Sequence, residues 1–518
     1  MTRLIDFFDR GLRLAPHAPC FAEPEGRTLD YVAVADLSHR IANGLHAAGV
    51  GPQDKVGLLS PNHLLTFVAV LGIVRSMGVW LPVNARNTIE ENLHVLALGH
   101  CSFLFLHSSF ATDLDKIRAA LPRLKGLVVV DGPFAHECGL EQWAAAQSPA
   151  LVEHRGDADD VVAIRGTSGT TGTPKGVLIT HRIYATLLAN WFSAMPVRET
   201  PVHLVVAPLT HAAGMVVFAT LAYGGVNLIL PSTRPDAILD AIERHRVTQL
   251  FCPPTLIYRL LAHPDVRHHR YDALRYFVYS AAPMSVAKLK LALEIFGPVM
   301  VQCFGQAEAP FTCTTMTVED HITALGSGRE HRLASCGRAN PFVRVEIMDP
   351  QGRLLGPDER GEIVVNGDLV MRGYYNNPEG TAEAIREGWL HTGDVGYRDE
   401  DGFFYIVDRM KDLIISGGFN ISPGEIEQVL WDHPLVNDCA VIGVPDDDWG
   451  EAVKAIIELK PGVQWSEGQA IAYCRTRLDG IKTPKSVEFC DELPRSQVGK
   501  VLKQQLRERY WAGRDRSV

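Results

Sequence analysis

Short apolar runs, rich in Val, Leu, Ile and aromatic residues, recur along the first 300 positions. Longer stretches between them repeat apolar residues every three or four positions. Runs of the first kind, at 55–59, 79–83, 127–130, 161–164, 204–207, 227–230, 249–252 and 276–279, predict buried strands. Stretches of the second kind, such as 235–245 and 285–295, predict helices between them. Residues 64–74 are apolar all round and stop at Arg75. They are too few to span a bilayer and read as a buried helix. Strands alternating with helices imply α/β layers with largely parallel sheets.

The pattern changes after about residue 330. Short runs at 342–349 and 361–365, joined by turn residues such as Asp349-Pro350-Gln351-Gly352, predict a small β-rich subdomain. A further segment begins near Lys411, with a helix over 422–432, a strand over 439–444 and a helix over 466–477. Its length suits an independent C-terminal unit. The junction at Asp408–Asp412 is charged rather than Gly/Ser-rich, which suits a specific hinge better than a loose tether. The fold class is therefore α/β: a large N-terminal domain (1–408) of layered subdomains plus the β-rich one, then a small α+β C-terminal domain (409–518).

Composition narrows the function. A chain of 518 residues exceeds one hydrophobic core. A formal net charge of −10, with both signs mixed along the chain, excludes a general nucleic-acid binder, which needs a basic face. The ten cysteines are scattered without metal-ligand spacing, which predicts reduced thiols and a cytoplasmic protein. The first fourteen residues carry Arg3, Asp6, Asp9, Arg10 and Arg13. They leave no apolar core for a secretory signal.

The densest chemical signal is Thr167-Ser168-Gly169-Thr170-Thr171-Gly172-Thr173-Pro174-Lys175-Gly176, directly after the 161–164 run. Glycines let backbone N–H groups turn toward an anion, hydroxyls add donors, and Lys175 adds charge. The spacing is not that of the common P-loop, which wants Gly-Lys-Ser/Thr after a four-residue gap. Alone, the stretch is as well read as an ordinary loop.

Other segments follow in a fixed order: Pro208-Leu209-Thr210-His211, Pro253-Pro254-Thr255, Tyr279-Ser280-Ala281-Ala282-Pro283, Gln302-Cys303-Phe304-Gly305-Gln306-Ala307-Glu308, Gly388-Trp389-Leu390-His391-Thr392-Gly393-Asp394, Asp408-Arg409 through Lys411-Asp412 to Glu425-Ile426-Glu427, Leu493-Pro494-Arg495 and Gly499-Lys500. Together with the phosphate loop, this set resembles the adenylate-forming superfamily of acyl-CoA synthetases, peptide-synthetase adenylation domains and luciferases. The resemblance covers nearly the whole chain.

It implies two steps: a carboxylate joins AMP from ATP, and a thiol then displaces AMP. It assigns Thr167, Ser168, Gly169, Thr170, Thr171, Gly172 and Lys175 to the β- and γ-phosphates, and Glu308 to Mg²⁺, a hard cation suited to carboxylate oxygen. Ala281, Gln302, Cys303, Phe304 and Ala307 line the nucleotide pocket, with the Phe304 ring against the adenine. Asp394 accepts the ribose hydroxyls, and Arg409 contacts ribose or phosphate. His211 stands between the acyl and nucleotide pockets. Lys500 bridges carboxylate and α-phosphate. Without the resemblance, Lys500, Lys503 and Arg507 read as the solvated face of a terminal helix. Lys411 is the pivot about which a mobile C-terminal domain presents either Lys500 or the Ser416-Gly417-Gly418 loop, the latter beside the coenzyme A tunnel.

Three positions depart from the family pattern. Gly166 replaces an aromatic residue, Ser280 replaces a glycine, and Ala307 replaces a threonine whose hydroxyl contacts the α-phosphate. The leading reading is an acid–CoA ligase using ATP, Mg²⁺ and coenzyme A on a fatty, aryl or cyclic carboxylic acid, within fatty acid metabolism. The alternatives are a standalone adenylation enzyme that loads a carrier protein and a degenerate nucleotide-binding relative. Small residues at Ala212, Ala213 and Gly214 leave room for an apolar acyl or aryl group.

Overall fold

The computed structural model describes residues 3–512 except 154–155, 167–174, 211, 327, 410–411, 417–418, 447–448 and 497–498. Its architecture is the α/β layering that the apolar periodicity predicts. One sheet runs Gly126–Val129, Phe103–Leu106, Lys55–Leu59, Val79–Pro82, Val161–Gly166, Gly176–Thr180. The first five strands are parallel, and the last pair is antiparallel, with Gly166 opposite Gly176. The phosphate-loop segment thus connects the two strands of a hairpin.

The second sheet has the order Arg338–Ala339, Thr314–Met316, Met300–Phe304, Tyr276–Tyr279, Gln249–Cys252, Val202–Val205, Val226–Ile229, Pro19–Ala22, Thr28–Asp30. Its interior pairs are parallel and its two ends antiparallel. Between the sheets lies the main core. Its centre is the helix Thr66–Arg75, all ten residues of which are buried. Arg75 ends that helix with a 2.6 Å ion pair to Asp9. Among the described residues no helix is long and apolar enough to cross a membrane.

Observed elements shift from the predicted runs by a residue or two where apolar character outlasts strand pairing. The run 204–207 is a strand over Val202–Val205, while Val206 and Ala207 stay buried as the chain turns toward Pro208. Polar N-caps set several helix starts: Thr180 accepts from Ile183 N at 3.3 Å, and Ser466 forms a capping box with Gln469.

The β-rich region is an antiparallel sheet in which Trp389–Arg398 pairs with Gly361–Asn366 on one side and Phe404–Arg409 on the other. Beyond it, a separate sheet is built on the long hairpin Val436–Asp446 and Gly450–Leu459. The 439–444 run covers only the middle of the first of these strands. The second was hidden by Glu451, Lys454 and Glu458, which break the apolar run.

The closing helix, Lys503–Trp511, corrects the sequence reading of Lys503 and Arg507 as solvated. Lys503 Nζ lies 2.8 Å from Glu427 Oε1, and Arg507 lies 2.7 Å from Asp412 Oδ1. All four side chains are largely buried, because this face packs on the Val436–Asp446 strand and Pro423–Trp431. All ten cysteines are free thiols. No group of metal-ligating residues is found among the described residues.

Candidate active site

The site grows from the carboxyl end of the Met300–Phe304 strand, where open α/β sheets gather ligands. The chain folds back at Gly305. A Cβ there would stand 2.3 Å from Phe311 N, so only glycine permits the return. This turn projects Gln306 toward Asp394. Gln306 Nε2 donates to Thr392 O at 2.8 Å and to Asp394 Oδ2 at 2.7 Å. From the other side Arg409 Nε meets Asp394 Oδ1 at 3.0 Å, since Asp394 and Arg409 are direct cross-strand partners. Asp394 is 4% exposed. A buried carboxylate held at both oxygens is a fixed acceptor, with lone pairs left for further donors.

Two residues beyond Gln306, the Tyr374 hydroxyl donates to Glu308 Oε1 at 2.7 Å, and Met371 N donates to the Glu308 carbonyl at 2.6 Å. Lys175 Nζ stands 4.9 Å from the centre of the Tyr374 ring. Burial, and then the Glu308 charge, push the Tyr374 phenol well above its usual range, so it remains a donor. Lys175, Tyr374 and Glu308 therefore form one chain of contacts, and Gln306, Asp394 and Arg409 a second. The Gln306-Ala307-Glu308 backbone joins them. Sequence reasoning named the four charged residues but missed Gln306 and Tyr374. Their signal was weak: an amide inside a motif and one of two adjacent tyrosines.

Gln302 projects from the same strand, with Oε1 3.2 Å from the Tyr279 hydroxyl, which also lies 3.0 Å from His321 Nε2. Ala281 is exposed beyond the neighbouring strand end, with a positive φ of 78°, a strained conformation for a residue with a Cβ. Phe304 is half-buried at the strand end, and Ala307 packs beside the core. Cys303 is a correction to the nucleotide-lining set as regards its side chain. Strand alternation turns its thiol into the core, 3.9 Å from Thr315 Oγ1, and burial pushes that thiol up to about 12.

Lys500 lies on a separate loop, exposed, in a tight turn where Ser496 N donates to the Lys500 carbonyl at 2.7 Å. Gly499, at φ 85°, backs onto the Pro253-Pro254-Thr255 segment. A Cβ on Gly499 would come 2.5 Å from Thr255 Oγ1. This places the loop against the carboxyl end of the second sheet. Thr167–Gly172, His211, Lys411, Gly417 and Gly418 lie outside the described residues.

This arrangement is that of a nucleotide-using enzyme, and comparison with known proteins gives its family. The model of the AMP-binding enzyme family matches residues 8–375, and that of the AMP-binding enzyme C-terminal domain matches 425–500. The chain belongs to the AMP-binding enzyme family, in its acyl-CoA ligase branch. It is 38% identical over 503 residues to a feruloyl-CoA synthase of Amycolatopsis sp, covering 97% of this chain and 98% of that protein. It is 37% identical over 501 residues to the medium/long-chain-fatty-acid–CoA ligase FadD8 of Mycobacterium tuberculosis, covering 94% and 86%. Its fold is similar to that of ATP-bound MatB from Rhodopseudomonas palustris, with a TM-score of 0.89, 30% identity and 99% of each chain covered.

Proposed function

We propose that this protein is an ATP-dependent carboxylic acid–CoA ligase. A carboxylate oxygen attacks the α-phosphorus of ATP and pyrophosphate leaves; the thiol of coenzyme A then attacks the carbonyl carbon of the acyl-adenylate, giving up its proton, and AMP leaves. The observation that carries this reading is the continuous chain from Lys175 through Tyr374 and Glu308 to Gln306, Asp394 and Arg409. It sets a phosphate-facing cation, a carboxylate for a hard cation and a fixed acceptor in one row.

In this reading Asp394 accepts from the ribose hydroxyls while Gln306 and Arg409 keep it from turning. Glu308 suits Mg²⁺. One of its oxygens is taken by Tyr374, no ion-pair partner stands among the described residues, and Mg²⁺ binds through one or two carboxylates with the rest from phosphate and water. When bound, the ion would neutralise charge on the phosphates. Lys500, on the turn docked at Thr255, brings its ammonium to the developing negative charge between carboxylate and α-phosphate. The pivot at Lys411, the boundary at 408 and the coenzyme A role of Gly417-Gly418 belong to the same proposal. The acid has an apolar or aryl body. The small residues Ala213 and Gly214 support this: they are buried at the start of a helix whose residues are apolar except for Thr220.

A panel of short, long, aromatic and cyclic acids, read as pyrophosphate exchange and as AMP formation with and without coenzyme A, tests the proposal. Exchange with at least one acid, followed by thioester formation, is the expected result. Exchange without a thioester on free coenzyme A would favour the carrier-loading alternative. Tight ATP binding with no exchange for any acid would identify a degenerate relative.

A further inference from the structure

Arg165 precedes the phosphate-loop segment by one residue beyond Gly166, at the carboxyl end of the Val161–Gly166 strand. It is 8% exposed. Its one hydrogen bond among the described residues runs from NH2 to the Thr210 carbonyl at 3.4 Å, near the limit of such a bond. No Asp or Glu pairs with it among the described residues. Among the described residues the ionisable group facing it is the Tyr184 phenol, on the helix His181–Ala194, whose buried hydroxyl has no hydrogen-bond partner there. Thr210 leads into the helix Ala212–Leu221, whose first N–H groups form the positive end of the helix dipole.

Burial lowers the guanidinium from its usual range, yet arginine keeps its proton in proteins. Arg165 thus interacts with Tyr184 and reaches the residue that leads into this helix, and among the described residues no protein anion stands beside it. A buried cation normally carries its partner. Arg75 does, with Asp9 at 2.6 Å.

We propose that Arg165, the Tyr184 hydroxyl and the N-terminus of the Ala212–Leu221 helix form a carboxylate subsite for the acid substrate. The subsite rests on the acid–ligase reading above. The carboxylate has two possible sources, the reacting group of any acid or a second acidic group on a diacid.

Arg165→Gln, Arg165→Lys and Tyr184→Phe, in the full chain, separate the outcomes. Pyrophosphate exchange gives KM for acid and for ATP, direct titration gives ATP affinity, and thermal unfolding reports the fold. Arg165→Gln is expected to raise KM for the acid about tenfold or more, with ATP affinity unchanged and partial recovery in Arg165→Lys. A rise for every acid assigns the reacting carboxylate, and a rise for diacids alone assigns the second group. Unchanged KM for the acid, or a parallel loss of ATP affinity, overturns the subsite. If Arg165→Gln does not fold, Tyr184→Phe decides: a raised KM for the acid supports the subsite and an unchanged one refutes it. A wild-type chain with no exchange for any acid defeats the ligase reading and the subsite together. An active wild type with indifferent variants defeats the subsite alone.

Discussion

In the C-terminal unit Lys503 meets Glu427 at 2.8 Å, Arg507 meets Asp412 at 2.7 Å and Arg495 meets Asp438 at 2.6 Å. The Asp408 carboxylate, 9% exposed, accepts from Gly424 N at 3.0 Å and Ser422 Oγ at 3.3 Å. Around the candidate active site the charged groups are differently placed. Asp394 is clamped and keeps acceptor capacity, Glu308 has one oxygen engaged, and Arg165 has no acid beside it among the described residues. The difference separates two uses of buried charge. Charge matched inside the protein joins elements together. Here it links the residues flanking Lys411, Asp408 and Asp412, to the C-terminal helices Pro423–Trp431 and Lys503–Trp511. Charge left partly unmatched at a strand end is there for something else to meet.

The comparison breaks most sharply at Lys503. Burial alone would lower its pKa, but Glu427, Asp408 and Asp412 outweigh that and hold it above the usual lysine range. Lys503→Met leaves buried carboxylates without their cation and is expected to cost about 3–5 kcal/mol in denaturant unfolding of the C-terminal unit. Adding Glu427→Leu should recover much of the loss, because both charges then leave together. A single variant as stable as wild type would mean that the cluster joins nothing.

Lys500, three residues away, lies on the surface instead. It is exposed, and its removal leaves the unfolding transition where it was. Lys500→Ala should slow acyl-adenylate formation by on the order of 10²–10³ while thioester formation from supplied acyl-AMP persists. Equal loss of both half-reactions would contradict a role confined to the first.

These two lysines also mark what was legible. The ordered motifs assigned Lys500 a role by resemblance, and strand–helix alternation predicted the α/β layering but not such strands as Phe103–Leu106, Met300–Phe304 and the pair Pro19–Ala22 and Thr28–Asp30. Lys503 looked like a surface residue, because a helix with Gln504, Gln505, Glu508 and Arg509 shows no apolar stripe. Its burial comes from Glu427, some seventy residues earlier. Gln306 and Tyr374 were missed for the same reason: each acquires meaning only when the fold brings Asp394 or Glu308 to it. Cys303 was misjudged because a motif lists residues without saying which way alternate side chains point.

Acid tests the neutral side of the comparison. Burial pulls His203 and His321 down to about 4, whereas an unfolded chain protonates them near 6.5. Their folded pKa values are depressed, so the unfolded state binds more protons between these values. Their contribution to stability is full above about pH 6.5 and is lost as pH falls toward 4, by up to about 1.4 kcal/mol per unit each. Asp408 and Glu427 act the other way. Burial raises their folded pKa values, so their contribution is present at low pH and lost as pH rises through those values. Subtracting a His203→Gln variant from wild type isolates the histidine slope. A difference in unfolding free energy that does not change between pH 7 and pH 5 would mean that His203 takes up its proton without cost.

The smallest effect lies in the open site, at Tyr374. Its hydroxyl serves Glu308 and its ring faces Lys175, so Tyr374→Phe removes the first contact and keeps the second. If Glu308 holds Mg²⁺, loss of a hydrogen bond that orients the carboxylate should raise the Mg²⁺ concentration for half-maximal exchange by about tenfold, with little change in ATP affinity at saturating Mg²⁺. A raised KM for ATP with an unaltered Mg²⁺ requirement would place the hydroxyl's role with the phosphate loop instead. The carboxylate of Glu308 would then need no orienting partner, and it would stand closer to the self-contained charges of the C-terminal unit than to Asp394.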